Sequence, residues 1–384
     1  MTAIRSLPLS KVAKIDRTSL APEKIQGGTP YLGLEHIESG GKILGAQQVE
    51  SGELKSSKFK FTPEHILYGK LRPYLAKIAL PDFDGICSTD IIPILPGPDI
   101  DRKYLLYFLR QGSMVEYANS RSSGANLPRL SPKELANFQI PLPPLEEQKR
   151  IAKILDAADA LRAKRRESLA QLDTLLRSTF LDFFGDPIEN PKGWQDTLVE
   201  NEVDFLTSGS RGWAKYYSDH GALFIRIQNL KGGQLDCTDM AFVNAPDSAE
   251  AKRTRVRPGD VLLSITADLG RTAVVPDGIP VAHINQHLAI IRFKTMNPTF
   301  VAHQLATKGG QMQFQRLNRE GVKAGLNFKD VKNIKLIKPP LELQERFSKI
   351  VEGLDKQKRK LIEHSVSLDN LFTSIQQRAF SGEL

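Results

Sequence analysis

Pro141-Leu142-Pro143-Pro144-Leu145-Glu146-Glu147-Gln148 closes a stretch of strand-like sequence and opens a long charged helical pattern. Pro339-Pro340-Leu341-Glu342-Leu343-Gln344 opens a second such pattern 196 residues after the first proline pair. A repeat this far apart implies two large similar units, each a folded body followed by a long helix. At the same offset Tyr104-Leu105 meets Phe300-Val301, Leu130 meets Leu326, Leu135 meets Val331, Phe138 meets Ile334 and Ile140 meets Leu336. The apolar frame persists while the polar residues between are different, which describes one core under two surfaces. Further upstream the register slips by one residue. Thr62-Pro63-Glu64-His65-Ile66-Leu67 matches Arg257-Pro258-Gly259-Asp260-Val261-Leu262, each a turn feeding a buried strand.

Beyond each proline motif the period becomes that of a coil. Ile151, Ile154, Ala158, Leu161, Arg165, Ser168, Leu172, Leu175 and Thr179 alternate spacings of three and four, the seam of a heptad helix. The second copy repeats it as Phe347, Ile350, Leu354, Gln357, Leu361, His364, Leu368, Leu371 and Ile375. Residues 145–180 at about 1.5 Å each would make a helix of roughly 54 Å. A single apolar stripe on such a helix must be buried, so the two helices are expected to pack together. The seam is compatible with either direction. An antiparallel pair, carried as the expectation, would put the bodies at opposite ends of a spacer of about 50 Å, near one and a half turns of B-form DNA.

The expected division is a first body at 1–144, a helix at 145–182, a second body at 183–340 and a second helix at 341–384. Phe183-Phe184-Gly185-Asp186-Pro187 would end the first helix, with a turn-rich hinge from Glu189 to Trp194. The fold class is α+β, with two similar bodies built on mixed or antiparallel sheets. Ala76 to Leu80, Ile91 to Leu95, Phe224 to Leu230, Val261 to Ile265 and Ala289 to Phe293 read as strands, and Arg102 to Tyr117 as a helix.

The chain has 384 residues, 40% of them hydrophobic and 25% charged, which suits two folded domains rather than disorder. Its net charge of +9 favours an anionic partner. Cys87 and Cys237 sit in separate bodies without metal-ligand spacing, which suggests free thiols in a reducing compartment. No stretch approaches the roughly 20 apolar residues of a membrane span, and Met1-Thr2-Ala3-Ile4-Arg5 is not followed by a secretory core. The cytoplasm is the expected location, with no membrane partner.

With the repeat, the motif at 141–148 and the long helices together, the chain resembles the specificity subunit of type I restriction-modification systems over essentially its full length. Asp260-Val261-Leu262-Leu263-Ser264 and the segment 321–326 look like parts of that family's target-recognition domains. The resemblance implies two target-recognition domains, each reading one half of a split, asymmetric target in double-stranded DNA. It implies two helices that separate them and dock two methyltransferase subunits, through which restriction and translocase subunits join. S-adenosylmethionine, ATP and Mg2+ would then belong to those partners, with no cofactor on this chain. The second motif departs in having Ile337-Lys338 before Pro339 and Leu343 in place of Glu147, and the first body has Glu64-His65 where the second has Gly259-Asp260.

Side chains at base edges read sequence, whereas cations on phosphate supply position and affinity. Candidates in the first body are Lys55, Lys58, Lys60, Lys70, Arg72, Lys77, Arg121 and Arg129; the lysines at 55–60 would equally suit a solvated edge. The second body offers Arg211, Lys215, Arg226, Gln228, Arg253, Arg255, Arg257, Arg271 and Arg316. Arg211 stands out in the glycine-rich Ser208-Gly209-Ser210-Arg211-Gly212. Arg253, Arg255 and Arg257 would share one face of a strand, as a phosphate track or a plain solvent edge. Gly309-Gly310 and Gly124 would position contact loops or permit tight turns. His283 and His287 lack a third ligand for zinc, and neither a nucleophile elbow nor a phosphate-binding glycine loop is present. Two rivals remain, a coiled-coil scaffold joining two protein-binding domains without DNA and a hydrolase using the histidine strand.

Overall fold

The computed structural model describes residues 5–318 and 325–384; residues 321–324 of the segment singled out above lie outside them. The chain divides into two compact units, residues 1–166 with 363–384 and residues 167–362, so each long helix contributes to both.

In the first unit Ser6–Pro8 pairs antiparallel with Gln139–Pro141, closing the body just before the proline motif. A four-stranded antiparallel sheet runs Ala13–Ile15, Ile91–Pro96, Ile66–Gly69, Ile78–Ala79. A five-stranded mixed sheet runs Ser19–Leu20, Lys58–Phe61, Gly85–Cys87, Thr29–Leu32, Gln47–Val49, with only the Thr29–Leu32 and Gly85–Cys87 pair parallel. Expected as one helix, residues 102–117 form two, Arg102–Leu109 and Gly112–Ser120. At the break the Arg110 guanidinium donates to the Ile78 carbonyl at 2.8 Å from Nε.

The second unit repeats this plan. Gln195–Leu198 pairs with Lys335–Lys338. A six-stranded sheet runs Val203–Ser208, Leu288–Phe293, Val261–Ser264, Thr272–Val274, Gly233–Leu235, Leu230–Lys231, and a four-stranded one runs Tyr217–Ser218, Ala241–Val243, Ala222–Ile225, Ala282–Ile284. The strand expected from Phe224 to Leu230 stops at Ile225, because the Asn229 carboxamide accepts from Arg226 N and curls Ile227–Asn229 into a 3-10 turn. Residues 253–257 do not form a strand either. Arg253 belongs to the helix Ala249–Thr254, whose N-cap Ser248 accepts from Ala251 N, so the three arginines do not share a strand face. Gly309 and Gly310 lie inside the helix Lys308–Leu317 rather than in a loop, and a Cβ at Gly310 would come within 2.5 Å of the Gln304 carbonyl.

The proline motif has the same structural job in both units. Gln148 and Gln344 are buried. Gln148 Oε1 accepts from Asp101 N at 2.8 Å while its Nε2 donates to the Asp99 and Pro143 carbonyls. Gln344 Oε1 accepts from Asn297 N at 2.9 Å while its Nε2 donates to the Pro339 carbonyl. Asp101 and Asn297 are themselves the N-caps of Arg102–Leu109 and Pro298–Ala306. Each glutamine therefore clamps the start of a long helix to the start of a body helix, without leaving a buried amide unsatisfied.

Within each unit the helices Leu145–Phe184 and Leu341–Ser381 pack antiparallel. In the first, Ile151, Ala152 and Leu155 share a core with Phe372 and Ala379, Arg162 Nε meets Asp369 Oδ1 at 2.5 Å, and the guanidinium lies 4.3 Å from the Phe372 ring. In the second, Phe180 and Phe184 pack on Phe300 and Phe347, and Lys358 Nζ meets Asp173 Oδ1 at 2.7 Å. The repeat offset carries Arg162 onto Lys358 and Asp173 onto Asp369, so the two ion pairs are copies of each other.

The seam differs from expectation at alternate positions. Leu161, Leu175 and Leu371 are 55%, 49% and 54% exposed, and Gln357 and His364 are also exposed. The inward places go to Leu155, Arg162, Leu169, Leu176, Val351, Lys358, Ser365 and Phe372, one residue later, while Ile151, Ala158, Leu172, Phe347, Leu354, Leu361, Leu368 and Ile375 remain buried or partly buried. Ile154 and Ile350 are partly covered. Leu175-Leu176 and Leu371-Phe372 offer an apolar residue at both registers, so period alone could not choose between them.

Candidate nucleic-acid interface

In the first unit the strand Ile66–Gly69 runs out into Lys70-Leu71-Arg72, which is stitched to the loop before Pro132–Ala136. Leu130 N donates to the Lys70 carbonyl at 2.9 Å, Arg72 N donates to the Pro128 carbonyl at 2.8 Å, and Leu71 bridges to Arg129. The Asp90 carboxylate accepts from Arg129 Nε at 3.3 Å and lies 3.7 Å from Lys70 Nζ. Arg121, which begins that loop, lies 5.2 Å from the Tyr117 ring. Tyr74, Tyr117 and Leu127 are exposed around it. Lys70, Arg72, Arg121 and Arg129 thus come together on one turn-and-loop surface.

The other first-unit candidates do not join it. Lys58 is buried, donates to the Ser56 carbonyl at 2.9 Å and lies 5.9 Å from the Tyr31 ring; burial lowers its pKa. Lys77 Nζ donates to the Leu34 carbonyl at 2.7 Å. Lys55 and Lys60 are exposed, away from the stitched turn in sequence and hydrogen bonding.

The second unit builds the matching turn with different chemistry. Leu326 N donates to the Ile265 carbonyl at 2.8 Å and Thr266 bridges to Gly325, as Leu130 and Leu71 do in the first unit. Ala267 has φ +64° where Arg72 has φ +51°, so even the left-handed residue is repeated. Where the first unit has Asp90, the second presents Asn285-Gln286-His287. His287 Nδ1 is 2.6 Å from Thr266 Oγ1, and its Nε2 is 2.9 Å from Gln286 Nε2. Ser210 bridges to Asn285, and Arg253 reaches Ser208 O at 2.7 Å, Ser210 Oγ at 2.8 Å and Thr207 Oγ1, holding the loop from which Arg211 projects into solvent. Arg253 is therefore a strut for this surface.

The remaining cations are dispersed. Arg271 pairs with Asp268, and Arg226 with Asp239, while the Gln228 carboxamide turned toward Arg226 accepts from it at 3.1 Å. Lys215 lies 4.9 Å from the Tyr216 ring. Arg255, Arg257 and Arg316 are exposed, Arg255 bridging to His283 through its backbone.

The Gly-Asp difference between the bodies is structural. Asp260 Oδ2 accepts from Arg257 N at 2.8 Å, and His65 Nδ1 accepts from Thr62 N at 3.0 Å in the matching turn. Asp260 is fully buried against Arg292, with Arg292 Nε to Oδ1 at 2.8 Å, and burial still holds its carboxyl above the usual carboxylate range. His283 is buried beside Trp213, 5.1 Å between rings, and burial lowers its pKa. Cys87 is also buried, its thiol pushed up to about 12. Among the described residues no three His, Cys, Asp or Glu side chains come together to hold a metal, and no helix is long and apolar enough to cross a membrane.

Sequence reasoning missed Asp90, Thr266 and Gln286, none of which carries a positive charge or a motif. The signal that finds them is the slipped repeat itself, which carries Leu71-Arg72 onto Thr266-Ala267.

A family model, the type I restriction modification DNA specificity domain, matches residues 8–172 and 224–365. The specificity subunit of the type I restriction enzyme EcoBI of Escherichia coli is 27% identical over 69% of this chain and 62% of its own length. That of EcoDI, also of Escherichia coli, is 32% identical over 34% of this chain and 30% of its own. The matches therefore span less than two thirds of either relative. A chain from a solved structure concerning complex assembly and conformational transition of the type I R-M system shares the fold, with a TM-score of 0.60, 23% identity and coverage of 99% of this chain and 98% of its own. With the family model covering well over half of the sequence and the repeated body-and-helix plan on which it falls, this chain belongs to the type I restriction modification DNA specificity family.

Proposed function

We propose that this chain is the DNA-specificity subunit of a type I restriction-modification assembly and performs no chemistry itself. The first unit reads one half of a split target through the turn carrying Lys70, Arg72, Arg121 and Arg129. The second reads the other half through Thr266, Gln286, His287 and Arg211. The observation that carries this reading is one stitched turn built twice on one frame with different side chains, which suits an asymmetric target.

Two methyltransferase subunits dock on the long helices, whose Leu161, Leu175, Val366 and Leu371 leave large apolar side chains uncovered. Restriction and translocase subunits join through them. S-adenosylmethionine, ATP and Mg2+ belong to those partners. The test is a genome-wide methylation map of cells making this chain with its neighbouring methyltransferase subunit, against cells making the methyltransferase alone. A split, asymmetric methylated sequence dependent on this chain is the expected result. No new methylation from proteins that co-purify would favour a scaffold instead.

A further inference from the structure

We propose that Arg72 reads a guanine in the half-site of the first unit, an inference that rests on the DNA-specificity reading above. Two features separate Arg72 from Lys70 and Arg129, and a third, its backbone, also separates it from Arg121, which is exposed and lies 5.2 Å from the Tyr117 ring. Lys70 and Arg129 share the Asp90 carboxylate, which offsets their charge and would repel a phosphate. The Arg72 guanidinium is exposed and makes no hydrogen bond or ion pair among the described residues. It is the one member of this surface carried by a backbone in the left-handed region, φ +51° and ψ +63°, which side-chain-bearing residues avoid.

That conformation is imposed from both sides. Arg72 N is held by the Pro128 carbonyl, the Lys70 carbonyl by Leu130 N, and Pro73–Leu75 follows as a 3-10 turn. A phosphate anchor needs only a point charge on a flexible stem, whereas a base contact needs a fixed origin for the side chain. The second unit keeps the left-handed residue and the stitching but places Ala267 there. A group serving any DNA sequence could have been kept in both units. A group that reads must differ wherever the two half-sites differ. Arginine in that role presents two parallel donors to guanine O6 and N7 in the major groove.

The experiment uses the full chain with its methyltransferase partner and duplexes randomised over the methylated target. Arg72→Gly, Arg72→Ala and Arg72→Lys are compared with wild type and with Arg129→Ala. Glycine accepts a positive φ without strain, so Arg72→Gly tests reading without a folding penalty. Wild type should require a G·C pair at one position of one half-site. Arg72→Gly and Arg72→Ala should lose that preference by about 5- to 150-fold and leave the other half-site unchanged. An even loss across all sequences would make Arg72 a phosphate contact, and an unchanged preference, or loss at an A·T pair, would overturn the assignment. Absence of any selectivity in wild type would instead remove the underlying DNA-specificity reading.

Discussion

Where the first unit places Arg72 at the head of its stitched turn, the second places Ala267, and where the first has Asp90 the second has Gln286 and His287. Away from that turn the same two units agree closely: Gln148 with Gln344, Asp101 with Asn297, Arg162–Asp369 with Lys358–Asp173. The difference teaches which positions belong to the scaffold. A buried amide that satisfies a helix start has no substitute of the same reach, so it recurs. A side chain facing solvent on a braced turn is free to change without disturbing the brace.

One buried position breaks the likeness and gives the largest expected effect. Tyr107 lies in the first unit with its hydroxyl donating to Asp156 at 2.8 Å, and the repeat puts His303 at the same place in the second. His303 is buried against Gly233 and Phe347, its Nε2 has no partner among the described residues, and burial lowers its pKa from 6.5 to about 4. The unfolded chain therefore takes up this proton first as pH falls. Stability from this group is intact above about pH 6.5 and declines toward pH 4, by about 3 kcal/mol at most. Hydrogen exchange across this pH range should show the second unit loosening, and His303→Phe should flatten that dependence. An equal acid response in the variant would assign it to other groups.

The glutamine clamps sharpen the comparison next. Gln148→Ala and Gln344→Ala each strand buried backbone groups and should destabilise their own unit by about 2 kcal/mol. Gln148, with three bonds, should be the worse loss. Denaturant unfolding followed by exchange in each unit checks both size and location; a cost felt equally in both units would mean that the clamp is not local.

The smallest effect is expected at the ion pairs. Both are partly exposed, so Lys358→Ala should cost under about 1 kcal/mol. Arg162→Ala should cost somewhat more, since the guanidinium also covers the Phe372 ring. Exchanging the charges, Arg162→Asp with Asp369→Arg, should recover part of the loss in thermal unfolding. No recovery would leave the loss to the Phe372 ring contact and to the Asp159 pair that Arg162 also makes at 3.0 Å.

The sequence carried the duplication because apolar positions recur at a constant offset wherever the core must be the same. It carried the basic candidates as well, but charge says nothing about direction. Lys58 looked like Lys60 and turned inward onto Ser56, and Arg253 looked like a strand arginine but braces the Arg211 loop from a helix. Both outcomes depend on where a single polar group, Ser56 Oγ or the Ser208 carbonyl, waits for a donor.

Two long helices, their starts at Leu145 and Leu341, and two similar α+β bodies were determined by the sequence alone, since periodicity and helix-start chemistry are local. The face each helix buries was decided by tertiary structure, because Leu175-Leu176 and Leu371-Phe372 allow two registers and packing takes the one that covers Leu176 and Phe372. Tertiary structure likewise gathered Lys70 and Arg129 around Asp90 and stitched the Arg72 turn to the loop before Pro132, since bonds between segments distant in the chain have no signature in either segment by itself.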